Sequence, residues 1–138
     1  MSTQTFARIW GILFLIIGGA GLVPGFSSPH SHPDVAFDTG LGLLLGVFPE
    51  NLADNLIYLA FGAWGLVAGR SLGAAGLYGK TVAVTFSLFA ILGLIPAAKL
   101  WTLFGLVPLY GQDIWLHALL AAVALYYGFV PHERIEIA

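Results

Sequence analysis

The chain is 138 residues long, 59% hydrophobic and 9% charged, and its formal net charge is −2. Soluble domains carry about 25% charged residues, and a globule of this size has too little interior for so much apolar surface, which excludes an ordinary soluble domain. The net charge gives no reason to expect nucleic-acid binding, and the absence of cysteine excludes disulfides, thiolate metal sites and covalent haem attachment.

Four apolar segments reach the length of a membrane-spanning helix, which is roughly 17–25 residues. They are residues 6–23, 51–68, 77–95 and 114–130. The first could be mistaken for a signal peptide, but the sequence GLVPGFSS at its end lacks a small-x-small cleavage pattern, so we interpret it as a retained helix. The predicted fold is an all-α integral membrane domain that covers residues 1–138.

The basic residues predict the orientation of these helices. With four spans, Arg8, Arg70, Lys80 and Arg134 fall on one side of the membrane, and Lys99 falls on the other. The positive-inside rule then places both termini in the cytoplasm, and we expect the bacterial inner membrane or an internal membrane. The opposite, outer face is acidic and carries Asp34, Asp38, Glu50, Asp54 and Asp113.

The two halves of the sequence, residues 6–70 and 77–130, repeat one plan. The first helices of the halves align at a shift of 72 positions and the second helices at a shift of 59, with charge, proline and glycine in the same order. This predicts a duplication in parallel orientation, hence a four-helix bundle with a pseudo-two-fold axis along the membrane normal. The aligned pairs include Arg8/Lys80, Phe14/Phe86, Gly21/Gly93, Pro24/Pro96, Pro49/Pro108, Asp54/Asp113 and Gly69/Gly128.

The connections fit the same plan. Residues 41–48 and 100–107 are apolar but too short to span, so we expect interfacial segments at the outer side. Residues 69–76 are predicted to be a short cytoplasmic loop, and residues 131–138 a polar tail. Small residues such as Gly65 and Gly69 are predicted to let the helix backbones approach closely.

A polar cluster is predicted at the outer end of helices 2 and 4. Asp113 and His117 are four residues apart and share one helix face, and the repeat makes Asp54 and Tyr58 their counterparts, with Asn55 beside them. One interpretation is a structural clamp, in which the carboxylates cap the helices and His117 and Tyr58 bond across the bundle. The other is a ligand, metal or proton site, because ionisable groups inside a membrane often serve function.

The loop sequence SSPHSHPDVAFD is a weaker candidate. His30, His32 and Asp34 are chemically competent to bind a divalent metal such as Zn²⁺, but their spacing matches no specific motif, and solvated side chains are the alternative.

Motifs for catalysis or ion-coupled transport are absent from the sequence. There is no Ser/His/Asp set, no HExxH, no phosphate loop, no charge at a helix centre and no span broken at its middle. We therefore expect no enzymatic activity. Haem on His117 would need a second ligand or an open coordination site, and no cofactor is identified.

The runs ARIWGILFLIIGGAGLVPGF, NLADNLIYLAFGAWGLVAGR and TLFGLVPLYGQDIWLHALLAAVALYYGF resemble the bacterial four-helix membrane proteins grouped as domain of unknown function 4383. The resemblance covers nearly the whole chain. Its most specific parts are the Asn/Gly pattern of helix 2 and the Asp-x-Trp-Leu-His of helix 4. The family pattern has histidines where this chain has Asp54 and Tyr58, whereas Asp113 and His117 match it. The resemblance implies fold and location and no activity.

Two functions remain open. The first is a non-catalytic accessory or stabilising subunit of a larger membrane complex, of which a pigment or redox complex is one kind, or a homo-oligomer. Its partners would be the lipid bilayer and another membrane protein or a second copy of the chain. The second is a membrane protein that binds a small ligand, metal or proton at the outer ends of helices 2 and 4.

Overall fold

The structure, a computed structural model, describes residues 1–130 and is mostly helical. Its α-helices begin and end within a few residues of the predicted apolar segments, with the exception of the start of the third. They are α1 (Thr3–Gly21), α2 (Leu52–Ala68), α3 (Leu72–Leu92) and α4 (Asp113–Phe129), and a 3₁₀ segment covers Ala97–Thr102. The predicted tail, residues 131–138 with Arg134, lies outside the described residues.

Side-chain caps explain where the first three helices begin. The side-chain oxygens of Ser2, Asn51 and Ser71 each accept a hydrogen bond from the backbone N–H three residues later. The cap at Ser71 starts α3 at Leu72, so the prediction that residues 69–76 form a loop is wrong over its second half. The glycines of that stretch suggested a loop, but a capped first turn and good helix formers around them favour a helix.

A small antiparallel sheet corrects the all-α prediction. Its strands are β1 (Ser27–Pro29), β2 (Gly42–Leu44) and β3 (Phe48–Glu50), in the order β1-β2-β3. Residues 41–48 therefore contain β2, the turn after it and the start of β3, a hairpin where the sequence predicted an irregular interfacial segment. Strands of three residues in a stretch rich in proline, glycine and serine carry no periodic signal, so the sequence does not predict them.

The second long connection lies on the first. Gly105 O accepts hydrogen bonds from the backbone N–H groups of Ala36 and Phe37, at 2.8 and 3.0 Å. Trp101 Nε1 donates to Asp34 Oδ2 at 2.9 Å, and the Tyr110 hydroxyl donates to the backbone carbonyl of Pro33 at 2.7 Å. Residues 22–51 and 93–112 thus form one structure over the ends of the helices, which we call the loop cap. Residues 100–107 contact the first connection within the loop cap, through Trp101 and Gly105.

The helices pack closely in two pairs, α1 on α2 and α3 on α4. A Cβ atom on Gly11 would lie 2.8 Å from Gly62 O, and one on Gly128 would lie 2.5 Å from Lys80 N. Such backbone contact requires glycine. Between the pairs, Phe14 stacks on Phe86 with ring centroids 5.1 Å apart. The centre of the molecule is therefore aromatic.

The outward surface of the helices is apolar. Helices α1 and α3 are long and apolar enough to cross a membrane, and α2 and α4 are apolar helices of 17 residues. Large apolar side chains point outward from every helix. They include Ile9, Ile12, Ile16, Leu56, Val67, Leu77, Val84, Leu88, Leu119 and Leu125.

The close approach at Gly65 generates a test of the packing. A Cβ on Gly65 would lie 2.7 Å from Ala7 O, so we expect Gly65→Ala to lower the free energy of unfolding by about 1–3 kcal/mol, the usual cost of overpacking. Gly76→Ala is the matched control, because Gly76 is also helical and has no atom within 4 Å of an added Cβ. Equal stability of the two variants in detergent unfolding would contradict this packing.

Candidate functional site

Three carboxylates are buried together where the loop cap meets the helices. Glu50 ends β3 and is 1% exposed, Asp54 lies in the first turn of α2 and is 5% exposed, and Asp113 begins α4 and is 2% exposed. All three line one cavity of about 10 Å³, together with Asn55 and Tyr58. This volume accommodates about one water molecule.

Both carboxylate oxygens of Glu50 accept hydrogen bonds from side chains. The Ser27 hydroxyl of β1 donates to Glu50 Oε2, and Asn55 Nδ2 of α2 donates to Glu50 Oε1 at 2.9 Å. The antiparallel register pairs Glu50 with Gly42 and Ser27 with Leu44, so the sheet carries both side chains to the start of α2.

Asn51 explains why the carboxylates are not helix caps. Its Oδ1 accepts the N–H of Asp54 at 2.9 Å, and its Nδ2 donates to Phe37 O and Leu106 O at 2.9 and 2.8 Å. One side chain thus caps α2 and holds both connections of the loop cap. At α4 the side chain of the N-cap residue Gln112 caps no backbone N–H of the helix, and its Oε1 accepts from Trp115 Nε1 instead. The capping part of the predicted clamp therefore belongs to Asn51 and not to Asp54.

Deeper in the structure, α2 and α4 are joined by one side-chain hydrogen bond. His117 Nε2 lies 3.0 Å from the Tyr58 hydroxyl, and both side chains are buried. The rings of Phe86 and Phe89 lie 5.4 and 5.6 Å from the imidazole, centroid to centroid. His117 therefore lies in an aromatic cage, with a hydrogen bond on one ring nitrogen.

Two buried polar atoms have no hydrogen-bond partner within residues 1–130, Asp113 Oδ2 and His117 Nδ1. Over the same part of the chain, no lysine, arginine or histidine forms an ion pair with Glu50, Asp54 or Asp113. The charged groups that act on Asp113 are the carboxylates of Asp54 and Glu50. Such a cluster combines desolvation with mutual repulsion, and both disfavour full ionisation.

The predicted metal ligands of the loop have other partners. His32 Nε2 donates to Gly42 O at 2.7 Å, Asp34 accepts from Trp101, and the rings of His30 and His32 lie 4.9 Å apart. Within residues 1–130, no group of three histidine, aspartate or glutamate side chains is arranged to hold a metal ion. The structure therefore does not assemble His30, His32 and Asp34 into a ligand set.

Tyr110 of the loop cap keeps its hydroxyl proton. Burial, followed by the charges of Asp34 and Asp113, raises the pKa of Tyr110 above its ordinary value. Its hydroxyl therefore remains a donor and bonds Pro33 O at 2.7 Å.

Sequence comparison identifies the family of this chain. Residues 4–130 match the family described as "Domain of unknown function (DUF4383)". The chain belongs to this family. The match confirms the resemblance drawn from the motifs of helices 2 and 4. No curated protein and no solved structure matches the chain. The family description carries no activity, so a function for this DUF4383 protein has to be argued from the site.

Five of the site residues were predicted from the sequence, and two were not. Asp54, Asn55, Tyr58, Asp113 and His117 are all buried at the start of α2 and α4 of the DUF4383 domain. The sequence predicts Glu50 on the outer face but outside the cluster, and Ser27 only as part of the histidine-bearing loop. Glu50 lies four residues before Asp54, but it precedes the start of α2, so helical spacing does not place the two side chains on one face.

The bond between Tyr58 and His117 can be tested with a double-mutant cycle. Tyr58→Phe leaves a buried imidazole nitrogen unpaired and is expected to cost about 1–3 kcal/mol, as is His117→Leu for the hydroxyl. Since replacing both partners by apolar groups leaves nothing unpaired, the double variant should cost less than the sum, by about 0.5–3 kcal/mol in detergent unfolding. Additive losses would show that the two side chains do not interact.

Proposed function

We propose that this protein is a non-catalytic integral membrane protein that binds protons at the outer end of its bundle, on Glu50, Asp54 and Asp113. The carrying observation is that three carboxylates are buried around one small cavity with no basic partner in residues 1–130. A buried, unpaired carboxylate is costly by several kcal/mol, and the usual escape is to bind a proton. The cluster therefore holds at least one.

Membrane insertion is supported by the distribution of side chains. The helices expose many large apolar side chains outward, whereas Asp54, Asp113 and His117 are buried, a distribution unusual for a soluble protein. Helices α2 and α4, with 17 residues each, lie at the lower end of the spanning range of roughly 17–25.

The positions of the basic side chains support the proposed orientation of the helices, with both termini in the cytoplasm. Arg8 Nη2 donates to Gly69 O at 2.7 Å, at the end of α2 away from the loop cap, and Lys80 lies 5.9 Å from the Phe129 ring centroid at the same end. Lys99 lies in the 3₁₀ segment of the loop cap. The positive-inside rule then places the loop cap and the carboxylates on the outer side.

The two-fold repeat is supported by contacts between positions that the sequence aligned. Tyr58 and His117, 59 positions apart, bond to each other, and Phe14 stacks on Phe86 at the other shift of 72. A second agreement comes from the glycines. A Cβ on Gly21 would contact Glu50 and Asn55, and one on Gly93 would contact Leu109 and Ile114, the residues 59 positions further on.

Protons fit this site better than a metal ion or a larger solute does. A cavity of about 10 Å³ leaves no room for an organic ligand. No three-residue metal-binding group is formed in residues 1–130. The unpaired Asp113 Oδ2 borders the same cavity and can accept a shared proton from a neighbouring carboxyl group.

The proposal predicts an infrared signal. In lipid discs near neutral pH, the wild-type protein should show a protonated-carboxyl band that disappears only when the pH is raised well above the ordinary range of aspartate and glutamate, about 4. Asp113→Asn should reduce the band. Asp38→Asn is the control, because Asp38 is exposed, and should leave it unchanged. A wild-type spectrum with no protonated carboxyl group near neutral pH would refute proton binding.

An accessory role in a membrane complex is the second candidate. An apolar groove of about 380 Å³ runs between α3 and α4 and is lined by Val84, Leu88, Ile91, Leu125 and Phe129, among others. A partner helix could cover it. Gentle purification from the native membrane separates the candidates, since a stoichiometric partner chain or a pigment would support the accessory role, and a lone, colourless chain would remove that support.

A further inference from the structure

A second, larger pocket lies on the outer surface, next to the carboxylate cavity. It has a volume of about 230 Å³ and opens where α1 ends and the sheet begins. Ser27 and Gly21 line this outer pocket, whereas Glu50 and Asn55 line the inner cavity. The two spaces therefore share a wall.

That wall is thin. A Cβ atom on Gly21 would lie 2.4 Å from Glu50 Oε1 and 2.1 Å from Asn55 Oδ1, so the backbone of α1 lies directly on the carboxylate. Beside it, Ser27 lines the outer pocket, and its hydroxyl donates to Glu50 Oε2. A residue that lines an open pocket and whose hydroxyl bonds a buried carboxylate is placed to act as a proton relay.

We propose that Ser27 and Glu50 form the proton entry of the site, an inference that rests on the proposed function. A hydronium ion in the outer pocket gives a proton to Ser27 Oγ while the Ser27 hydroxyl proton passes to Glu50 Oε2. The hydronium becomes water, the serine is again a neutral hydroxyl, and the carboxylate becomes a carboxylic acid. One proton has moved and no other bond has changed.

From Glu50 the proton reaches the rest of the cluster. The titratable groups that line the inner cavity with Glu50 are Asp54 and Tyr58 from α2 and Asp113 from α4, while α1 contributes only the apolar Ile17 to its lining. Deeper still, the aromatic cage of His117 offers no polar continuation on Nδ1 within the described residues. Protons would therefore enter and leave the cluster through Ser27 and the outer pocket.

A purely structural role for Ser27, holding β1 against α2, makes a different prediction, because it affects stability and not the rate of proton exchange. The rate can be followed in lipid discs as the shift of the protonated-carboxyl infrared band after transfer to heavy water. We expect Ser27→Ala to slow this shift by at least about tenfold relative to the wild-type protein, with each rate measured as a fraction of that variant's own band. Ser27→Thr, which keeps the hydroxyl, should exchange at close to the wild-type rate.

The neighbouring serine supplies the matched control. Ser28 lies on the same strand, is exposed and bonds only weakly to Leu43 O, at 3.4 Å, so Ser28→Ala should leave the rate unchanged. If Ser27→Ala does not fold, Glu50→Gln serves instead. The amide keeps the shape of the side chain but cannot take up a proton in this way, so exchange of the remaining carboxyl groups should slow by a similar factor.

The outcomes are distinguishable. Exchange in Ser27→Ala or Glu50→Gln at the wild-type rate, or faster, would overturn the relay and leave proton binding standing. Slowing by Ser28→Ala to the same extent would also overturn it, since the effect would then belong to the strand as a whole. Absence of the protonated band in the wild-type protein would instead refute the proposed function.

Discussion

The structure depends on burying Glu50, Asp54 and Asp113 in one place without a basic side chain from residues 1–130. Because isolated buried charges are strongly unfavourable, the surroundings have to supply hydrogen bonds, and the proposed function adds protons. The loop cap supplies the bonds. Asn51 joins both connections to the start of α2, and the sheet delivers Ser27 and Glu50 to the same point. The connecting segments of the loop cap thus form part of the site.

The two helix pairs meet beneath the carboxylate cluster. Tyr58 and His117 close the interior beneath the carboxylates, and the stacked Phe14 and Phe86 continue below them. In the proposed repeat, Glu50 aligns with Leu109 at the shift of 59, so the acidic side chain has no acidic counterpart. The first half of the chain therefore contributes the additional acid, and the second half contributes apolar packing.

The helices were predictable because their signals are local. Apolar length predicted four of them, and the i, i+4 spacing placed Asp113 beside His117 on one face. The repeat added Asp54 and Tyr58. Glu50 and Ser27 were not predictable, since they enter the site through three-residue strands whose pairing joins residues far apart in sequence. For the same reason His30, His32 and Asp34, close in sequence, gained other partners once the loops had folded.

The most direct test of the account is a count of protons released when the protein unfolds. Wild-type protein in weakly buffered detergent at about pH 8, where histidine is neutral in either state, would be unfolded with dodecyl sulfate while the pH is recorded. Carboxyl groups protonated in the fold ionise on exposure, so the account predicts release of at least one proton per chain, reduced in Asp113→Asn. No net release from the wild-type protein would contradict it, and would show that the buried carboxylates are ionised in the folded state.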